Sequence, residues 1–467
     1  NYLPFELTES QKKSLDEVLE NISKSHPMNR LLQGDVGSGK TAVAGITALI
    51  TAENGFQSAF MAPTEILARQ HYKTFQKLFG EFEGGIGLLL SKEARVFHGE
   101  GLEDKTTKAK LLKEISDGGV QIVVGTHALL QKGVDFRELG LIVVDEQHRF
   151  GVRQRAELSR GAKLVPHFLS MSATPIPRTL MMTVFGNLDV SLITELPKGR
   201  KTIITKIVDT ANRDKAYAFI RGEVRKGGQV YVICPRIEAQ TQTDAEGYAD
   251  RRGQFPRESA LSLRESALGS WDDVKTVKDE YEKLSGEVFP DLKVGMLHGK
   301  LKSAEKDSVM KKFSTGEIDL LVSTTVVEVG VDVPNATIMM IEGAERFGLA
   351  QLYQLRGRVG RSDKQSFCFL FSESNSPFSK QRLEALLIAN NSFELAEMDL
   401  EIRGPGEFLG QMQSGMPDSA MLAIQSPELS KSAKDIAEKI FSEDPNLEKH
   451  PAIKKRLDQF SEEIHLE

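Results

Sequence analysis

Short apolar runs alternate with amphipathic stretches along most of the chain, and this alternation is typical of α/β domains built on parallel sheets. In the first half the apolar runs predict buried strands at Arg30–Leu32, Ser58–Met61, Val120–Gly125, Leu141–Val144 and His167–Met171. Between these strands, apolar residues at helical spacing predict helices that include Lys40–Asn54 and Glu65–Phe79.

The alternation pauses at Leu196–Arg200, where proline and glycine indicate a linker, and it then restarts. The second half predicts a further series of strands at Gln229–Ile233, Lys293–Leu297, Asp319–Ser323, Thr337–Ile341 and Ser366–Phe371. We therefore expect two tandem α/β domains, residues 1–197 and 198–373, followed by a charged helical region at 374–467.

Residues 239–270 interrupt the second domain. This segment is polar, has no sustained apolar period, and repeats Arg-Glu-Ser-Ala-Leu at 257–261 and 264–268. Its composition favours a surface insertion that is partly without fixed structure. The seven-residue spacing of the repeat leaves a short amphipathic helix as the alternative.

Length and composition narrow the class of protein. A chain of 467 residues is too long for one core. No apolar run approaches the ~20 residues of a membrane span, so no membrane partner is expected. Cys234 and Cys368 lie in apolar, strand-like runs, which favours buried core thiols over zinc ligands. Sparse cysteines and the lack of a signal peptide indicate a cytoplasmic setting.

The formal net charge of −6 neither supports nor excludes a nucleic-acid partner. Nucleic-acid-binding domains are often basic overall, but phosphate contacts act over a Debye length of ~10 Å, so the local placement of Lys and Arg decides. The chain begins at Asn1 rather than methionine, and we therefore expect that an N-terminal region is missing.

The segment from Gly34 to Thr41 fits the phosphate-binding pattern Gly-x-x-x-x-Gly-Lys-[Ser/Thr] and lies between a predicted strand and a predicted helix. In such a loop glycines let main-chain N–H groups surround phosphate oxygens, and the helix N-terminus adds a favourable dipole. The pattern assigns Lys40 to the β- and γ-phosphates and Thr41 to Mg²⁺. The remaining predicted phosphate contacts are Gly34, Gly37, Ser38 and Gly39.

Two adjacent acids end the apolar run at 141–144. Asp145 suits the second shell of Mg²⁺ or its direct coordination, and Glu146 suits a base that orients the attacking water. Acids at a strand end are often merely solvated, but the upstream phosphate loop makes the catalytic interpretation the stronger one. His148 either links this site to moving parts or caps a turn.

Three arginines alternate with glycines near the end of the second domain, at Arg356, Arg358 and Arg361. Charged runs usually form solvated faces, but interspersed glycines indicate a close backbone approach. The planar guanidinium of arginine can clamp phosphate oxygens and stabilise charge on the γ-phosphate during transfer. We assign Arg358 and Arg361 to this task, which would make hydrolysis depend on closure of the two domains.

In this order, the segments resemble the motif set of superfamily 2 helicases, with Ser172–Thr174 similar to motif III and Ser323–Asp332 to motif V. A closer resemblance is to the RecG family of bacterial DNA helicases. It covers nearly the whole chain and is carried by the stretches Met28–Gln33, Asp145–Val152, Ala173–Leu180, Glu342–Gln351 and Arg403–Glu407.

The resemblance implies two RecA-like domains and an ATP-driven translocase that moves on double-stranded DNA and drives branch migration of stalled forks and Holliday junctions. It implies that Gln11 reads adenine, that Phe5 stacks on the base, and that Gly330 and Asp332 lie near the ribose and phosphates. Duplex or branched DNA is the implied substrate, a single-stranded DNA-binding protein is an implied partner, and a nucleoid-associated monomer is the expected state.

The resemblance also implies a translocation hairpin at Arg382–Leu409. The residues expected to contact DNA are Pro63, Thr64, Arg69, Thr126, His127, Thr325, Arg403 and Gln413. From spacing alone, Arg403 and Gln413 would instead be interpreted as a helix face and a turn.

Three departures from the family pattern limit these expectations. The N-terminal wedge domain that confers junction specificity is not found in this sequence. Gly410–Gly415 lacks the Thr-Arg pair that usually precedes the glutamine. Leu89–Ser91 replaces the usual Leu-Thr-Gly and is followed by extra residues to Leu102, so no duplex contact is assigned there.

Two alternatives remain open. The motor of a transcription-repair coupling translocase shares the Asp-Glu-Gln-His box, although Pro405 and Arg153–Ala156 favour the RecG family. A nucleotide-gated binding module without turnover is the other alternative. Such modules usually lose the catalytic acid or the arginine, and this chain keeps Glu146 and Arg361.

Overall fold

The computed structural model describes residues 5–24, 26–131, 133–146, 165–173, 188–195, 201–235, 277–324, 333–360, 364–374, 376–410 and 427–464. The part of the chain up to Leu395 belongs mainly to one compact unit, and the helical segment from Ala396 belongs to a second.

The first half of the described chain forms one mixed sheet, with strands in the order β5-β4-β3-β6-β2-β7-β8-β1-β9. Its strands are β1 Asn29–Gly34, β2 Gln57–Met61, β3 Ile86–Leu89, β4 Ala94–Phe97, β5 Glu103–Lys105, β6 Ile122–Gly125, β7 Leu139–Asp145, β8 His167–Ser172 and β9 Asp189–Ile193. Neighbouring strands from β3 to β1 in this order are parallel, whereas β4 and β5 are antiparallel additions at one edge.

Helices cover both faces of this sheet because residues along each strand point alternately to opposite sides. The helices are α1 Glu9–Ile22, α2 Lys40–Glu53, α3 Glu65–Leu78 and α4 Lys108–Ser116. On β2, Phe60 belongs to the core that α1, α2 and α3 share, while Ala59 and Met61 belong to the core under α4.

The second half forms a parallel sheet in the order β10-β15-β14-β11-β13-β12. Its strands are β10 Ile204–Val208, β11 Gln229–Ile233, β12 Val294–Leu297, β13 Leu320–Ser323, β14 Ala336–Ile341 and β15 Phe367–Phe371. The helices around it are α5 Arg213–Arg225, α6 Ser303–Ser314 and α7 Leu349–Arg356. The strands β11, β13 and β14 are almost wholly buried, as expected for a parallel sheet covered on both faces.

The C-terminal region is helical, with α8 Pro377–Ile388, α9 Ser392–Gly410, α10 Pro427–Glu443 and α11 Pro451–Ile464. Helix α9 begins in the first compact unit and continues into the second. No helix among the described residues has both the length and the apolar content needed to cross a bilayer.

The predicted α/β architecture with two parallel-sheet domains and a helical C-terminal region is confirmed, and each predicted strand matches an observed one within a few residues. The extra residues between Ser91 and Leu102 include the antiparallel strand β4, which pairs with β3 on one side and with β5, directly after Leu102, on the other. Cys234 and Cys368 are buried, free thiols, as predicted, and burial raises the pKa of Cys368 to about 12. The linker at 196–200 and the insertion at 239–270 lie outside the described residues, and the domain boundaries stay predictions.

Candidate active site

The predicted phosphate loop connects the end of β1 to the start of α2. Gly37 and Gly39 have φ angles of 79° and 93°, in the left-handed region that favours glycine. A Cβ atom added at Gly39 would lie 2.2 Å from Nε2 of Gln11, and one added at Gly34 would lie 2.7 Å from Oγ of Ser38. Gly39 is therefore needed for both conformation and space, Gly37 for conformation and Gly34 for space.

Lys40 is buried at the first turn of α2. Its Nζ donates hydrogen bonds to the main-chain oxygens of Gly34, at 2.7 Å, and of Asp35, at 2.8 Å. Burial lowers the pKa of the ammonium, the carboxylates of Asp145, Glu146 and Asp35 oppose this shift, and the positive charge of Arg358 adds to it. The structure thus brings Lys40 into the electrostatic neighbourhood of the acids and of one arginine predicted for the same site.

Asp145 ends β7, which lies two strands from β1 in the sheet. Its Oδ2 is 2.9 Å from Nε2 of His71 on α3. Burial opposes ionisation of Asp145, but the hydrogen bond and charge of His71, together with the charge of Lys40, hold its pKa below the usual range. The sequence does not single out His71. Its position is that of one more buried residue on an amphipathic helix.

Glu146 follows with a φ angle of 57°, which is uncommon for a residue other than glycine. Backbone strain of this kind costs on the order of 1–3 kcal/mol and is concentrated at functional sites. The left-handed conformation turns the chain sharply as it leaves β7, at the point where the predicted catalytic base lies. His148 lies outside the described residues.

Asp35 connects the phosphate loop to the second half of the chain. The hydroxyl of Tyr353, on α7, donates to Oδ2 of Asp35 at 2.6 Å, and the main-chain N–H of Ser392 donates to Oδ1 at 3.2 Å. A Cβ atom added at Gly357 would lie 2.9 Å from Cβ of Val36. The arginine-bearing segment therefore contacts the phosphate loop directly. No motif or spacing in the sequence predicts the contact between Asp35 and Tyr353.

The three arginines have different surroundings. Arg356 donates from Nη1 to the oxygen of Leu386 on α8, at 2.9 Å, and its guanidinium carbon is 4.3 Å from the ring centroid of Tyr353. Arg356 therefore fastens α7 to α8, whereas Arg358 contributes charge near Lys40. The remaining predicted nucleotide contacts of the second domain, Gly330, Asp332 and Arg361, lie outside the described residues.

Gln11 lies beside the phosphate loop and is only 3% exposed. Its Oε1 accepts from the main-chain N–H of Thr8 at 2.9 Å, in a capping box that begins α1, and its Nε2 donates to the oxygen of Ser38 at 2.6 Å. Phe5 is 45% exposed. The structure brings Gln11 to the loop, and the contacts of Gln11 and Phe5 with adenine stay predictions.

The predicted DNA contacts of the first domain follow two adjacent strands. Pro63 and Thr64 come after β2, and Thr126 and His127 come after β6, with the N–H of Ala62 donating to the oxygen of Gly125 at 2.8 Å. The sheet therefore brings these pairs to the same edge as the phosphate loop. Thr64 caps α3, Thr126 is buried and His127 is exposed.

The basic residues predicted to contact DNA already have acidic partners. Arg69 forms ion pairs with Glu93 at 2.8 Å and Glu65 at 3.3 Å. Arg403 donates from Nε to Oδ1 of Asp399, one turn earlier in α9, at 2.9 Å. Contact with a DNA phosphate would compete with these pairs. Thr325 and Gln413 lie outside the described residues.

Comparison with known proteins gives three family matches along the chain. Residues 8–183 match the DEAD/DEAH box helicase family and residues 270–363 match the helicase conserved C-terminal domain. Residues 389–461 match the C-terminal part of domain 3 of the ATP-dependent DNA helicase RecG.

Curated relatives agree with these matches. The ATP-dependent DNA helicase RecG of Synechocystis is 46% identical over 464 residues, which is 99% of this chain and 51% of that protein. The RecG of Bacillus subtilis is 46% identical over 416 residues, which is 89% of this chain and 55% of that protein. The chain therefore spans about half the length of the curated relatives it matches.

A solved structure of RecG bound to a three-way DNA junction is similar in fold, with a TM-score of 0.69 and 39% identity. The match covers 91% of this chain and 50% of that one. The phosphate loop, the acidic pair and the helical C-terminal region all lie within the matched families. This chain belongs to the RecG family of helicases.

Proposed function

We propose that this chain is the motor segment of an ATP-dependent translocase that moves on double-stranded DNA and remodels forks and Holliday junctions. The observation that carries the proposal is the contact of both halves of the chain with the phosphate loop, where the hydroxyl of Tyr353 donates to Oδ2 of Asp35 at 2.6 Å. Lys40 of the same loop lies near the carboxylates of the first domain and the positive charge of Arg358. A phosphate loop in contact with both halves is suited to couple hydrolysis to their relative movement.

The residues present fit a nucleotide with a divalent cation. Asp145 is held ionised, and carboxylate oxygens suit Mg²⁺. Thr41 follows Lys40 at the start of α2, where the hydroxyl pattern of phosphate loops predicts a second ligand. When bound, Mg²⁺ would neutralise charge on the phosphates. Glu146 would orient the attacking water, and Arg358 and Arg361 would stabilise charge on the γ-phosphate.

Branched DNA is the proposed substrate because a RecG relative has been solved with a three-way DNA junction. Pro63, Thr64, Thr126 and His127 are the proposed duplex contacts of the first domain. Their edge of the sheet is also the edge of the phosphate loop, because β1, β2 and β6 run parallel. Interaction with a single-stranded DNA-binding protein, a monomeric state and a nucleoid-associated cytoplasmic location stay predictions.

The two alternatives carry less weight. The curated relatives are named RecG, so the motor of a transcription-repair coupling translocase is not favoured. A binding module without turnover is not favoured, because such modules usually lose the catalytic acid or the arginine, and this chain keeps Glu146 and Arg361.

The decisive experiment compares ATP hydrolysis by the chain in the presence of forked DNA, linear duplex, single-stranded DNA and RNA. We expect forked and linear duplex DNA to stimulate hydrolysis at least ~10-fold, which corresponds to about 1.4 kcal/mol in the barrier. The Lys40→Ala variant supplies the background rate. Stimulation by RNA in preference to duplex DNA would contradict the proposal.

A further inference from the structure

Asp35 makes three separate hydrogen bonds to other residues of the protein. Its main-chain oxygen accepts from Nζ of Lys40 at 2.8 Å. Its carboxylate accepts from the hydroxyl of Tyr353 at 2.6 Å and from the main-chain N–H of Ser392 at 3.2 Å. One residue of the phosphate loop therefore joins Lys40, helix α7 and the first residue of helix α9.

Tyr353 is held firmly in position to make its part of this contact. Burial raises the pKa of its phenol, and the charge of Asp35 raises it further, so the hydroxyl stays protonated and donates. The guanidinium of Arg356 lies 4.3 Å from the centre of the Tyr353 ring and also donates to the oxygen of Leu386 on α8. A movement of the Asp35 carboxylate would therefore displace Tyr353 on α7 and, through Arg356, affect the contact with α8.

Lys40 gives the contact its dependence on nucleotide. The ammonium of Lys40 has three donors, and two of them are used on the oxygens of Gly34 and Asp35. Charged phosphate oxygens are stronger acceptors than main-chain carbonyls, so a phosphate in the loop would compete for those donors. Asp35 would then lose the hydrogen bond between its main-chain oxygen and Lys40. The loss would allow Asp35 to move, and its carboxylate is the group that accepts from Tyr353 and Ser392.

We propose that Asp35 is a positioning residue that transmits the occupancy of the phosphate loop to Tyr353 and to the N-terminus of α9. The inference rests on the proposed function, since it concerns the coupling of nucleotide to DNA. Helix α9 carries Arg403, a predicted DNA contact, further along the same helix. A change at Ser392 can be passed along α9 because a helix is a stiff element.

The contact is tested by Asp35→Asn and Tyr353→Phe in the full chain, with Tyr217→Phe as the matched control. The Tyr217 hydroxyl also bonds within the second half of the chain, to Nη1 of Arg213 at 3.2 Å, but not to the phosphate loop. The affinity of each protein for a fluorescent linear duplex is measured without nucleotide and with a saturating non-hydrolysable ATP analogue. The affinity for the analogue alone is measured in parallel.

In the unmodified chain we expect the analogue to change the affinity for the duplex at least ~5-fold, the range typical of a coupling between two sites. In Asp35→Asn and Tyr353→Phe the two duplex affinities should agree within about twofold, while in Tyr353→Phe the affinity for the analogue alone changes less than about threefold. The double variant should be no worse than either single one, because Tyr353→Phe removes the donor and Asp35→Asn removes the charge of the acceptor in the same hydrogen bond.

The outcomes separate the inference from the proposed function. An unmodified chain that binds neither the ATP analogue nor duplex DNA overturns the proposed function. An unmodified chain that binds both without any nucleotide dependence overturns the inference. So does a nucleotide dependence that survives in Asp35→Asn and Tyr353→Phe, or one that Tyr217→Phe abolishes equally.

Discussion

Gln57 and Gln229 occupy equivalent positions in the two sheets. Each begins a central strand, and each donates from Nε2 to the last turn of a helix, at Ile115 of α4 and Phe313 of α6. Each also donates to a residue just before the neighbouring strand, Val120 in the first sheet and Ile318 in the second. The register of pairing shifts after both glutamines, so the two domains repeat one local structure.

Gln57→Ala should destabilise the first domain because the side chain is buried and its amide satisfies two main-chain oxygens. An unsatisfied buried polar group costs about 1–3 kcal/mol, so we expect a loss of that order in the free energy of unfolding. Urea denaturation followed by circular dichroism measures it. Gln76→Ala is the control, since its hydrogen bond to Glu103 is exposed, and it should cost less than about 0.5 kcal/mol. Equal losses of unfolding free energy in the two variants would show that the buried hydrogen bonds of Gln57 do not stabilise the first domain.

The order of apolar runs was enough to predict the central strands because parallel strands buried on both faces are nearly continuous apolar segments. The strands β4 and β5 could not be predicted in that way. Every residue of β5, Glu103–Lys105, is exposed, so it has no apolar signal. Its place in the sheet is set by pairing with β4, and such pairing is not visible in a local sequence pattern.

The residues of the site likewise fall into two groups, those that a local sequence pattern predicts and those that it does not. Lys40 and Asp145 lie in segments whose spacing reflects phosphate binding, so the sequence alone identifies them. His71 and Asp35 contact partners that are distant in the chain. His71 contacts Asp145, and Asp35 contacts Tyr353 and Ser392. Contacts of this kind depend on the tertiary fold, and residue type and spacing do not predict them.

Lys40→Ala should reduce DNA-stimulated ATP hydrolysis at least ~100-fold because it removes the buried cation assigned to the β- and γ-phosphates. A coupled assay of phosphate release measures the rate. The thermal midpoint of the variant should remain close to that of the unmodified chain, since the side chain bonds only to oxygens of its own loop among the contacts described. An unchanged rate of hydrolysis would show that Lys40 does not have the role assigned to it.

Glu146→Gln should keep ATP binding while hydrolysis falls by about 10²–10⁴-fold, the usual contribution of a general base. Glutamine preserves the size of the side chain and tolerates the same backbone, so the φ angle of 57° need not change. Binding of a fluorescent nucleotide and the rate of hydrolysis are measured on the same preparation. A parallel loss of affinity and rate would indicate a structural role for Glu146 instead.

Arg361→Ala and Arg358→Ala should lower the rate of hydrolysis more than the affinity for ATP, with a loss of up to ~10³-fold for the residue that meets the γ-phosphate. Steady-state kinetics separate kcat from KM. Arg356→Ala is the matched control because its guanidinium is used on Leu386 and on the ring of Tyr353. If Arg361→Ala and Arg358→Ala change only the affinity for ATP, these arginines do not stabilise the transition state.

His71→Ala should raise the Mg²⁺ concentration needed for half-maximal hydrolysis. Nε2 of His71 holds Oδ2 of Asp145 at 2.9 Å, and residues that orient a metal ligand typically change metal affinity or activity by about 10–100-fold. His71→Gln keeps a donor and should recover part of the loss. Phe75→Leu is the control, because Phe75 packs against the same Phe60 ring but makes no polar contact with Asp145. If His71→Ala lowers stability as Phe75→Leu does and leaves the Mg²⁺ requirement unchanged, His71 only fills the core. It would then not link helix α3 to the proposed Mg²⁺ site.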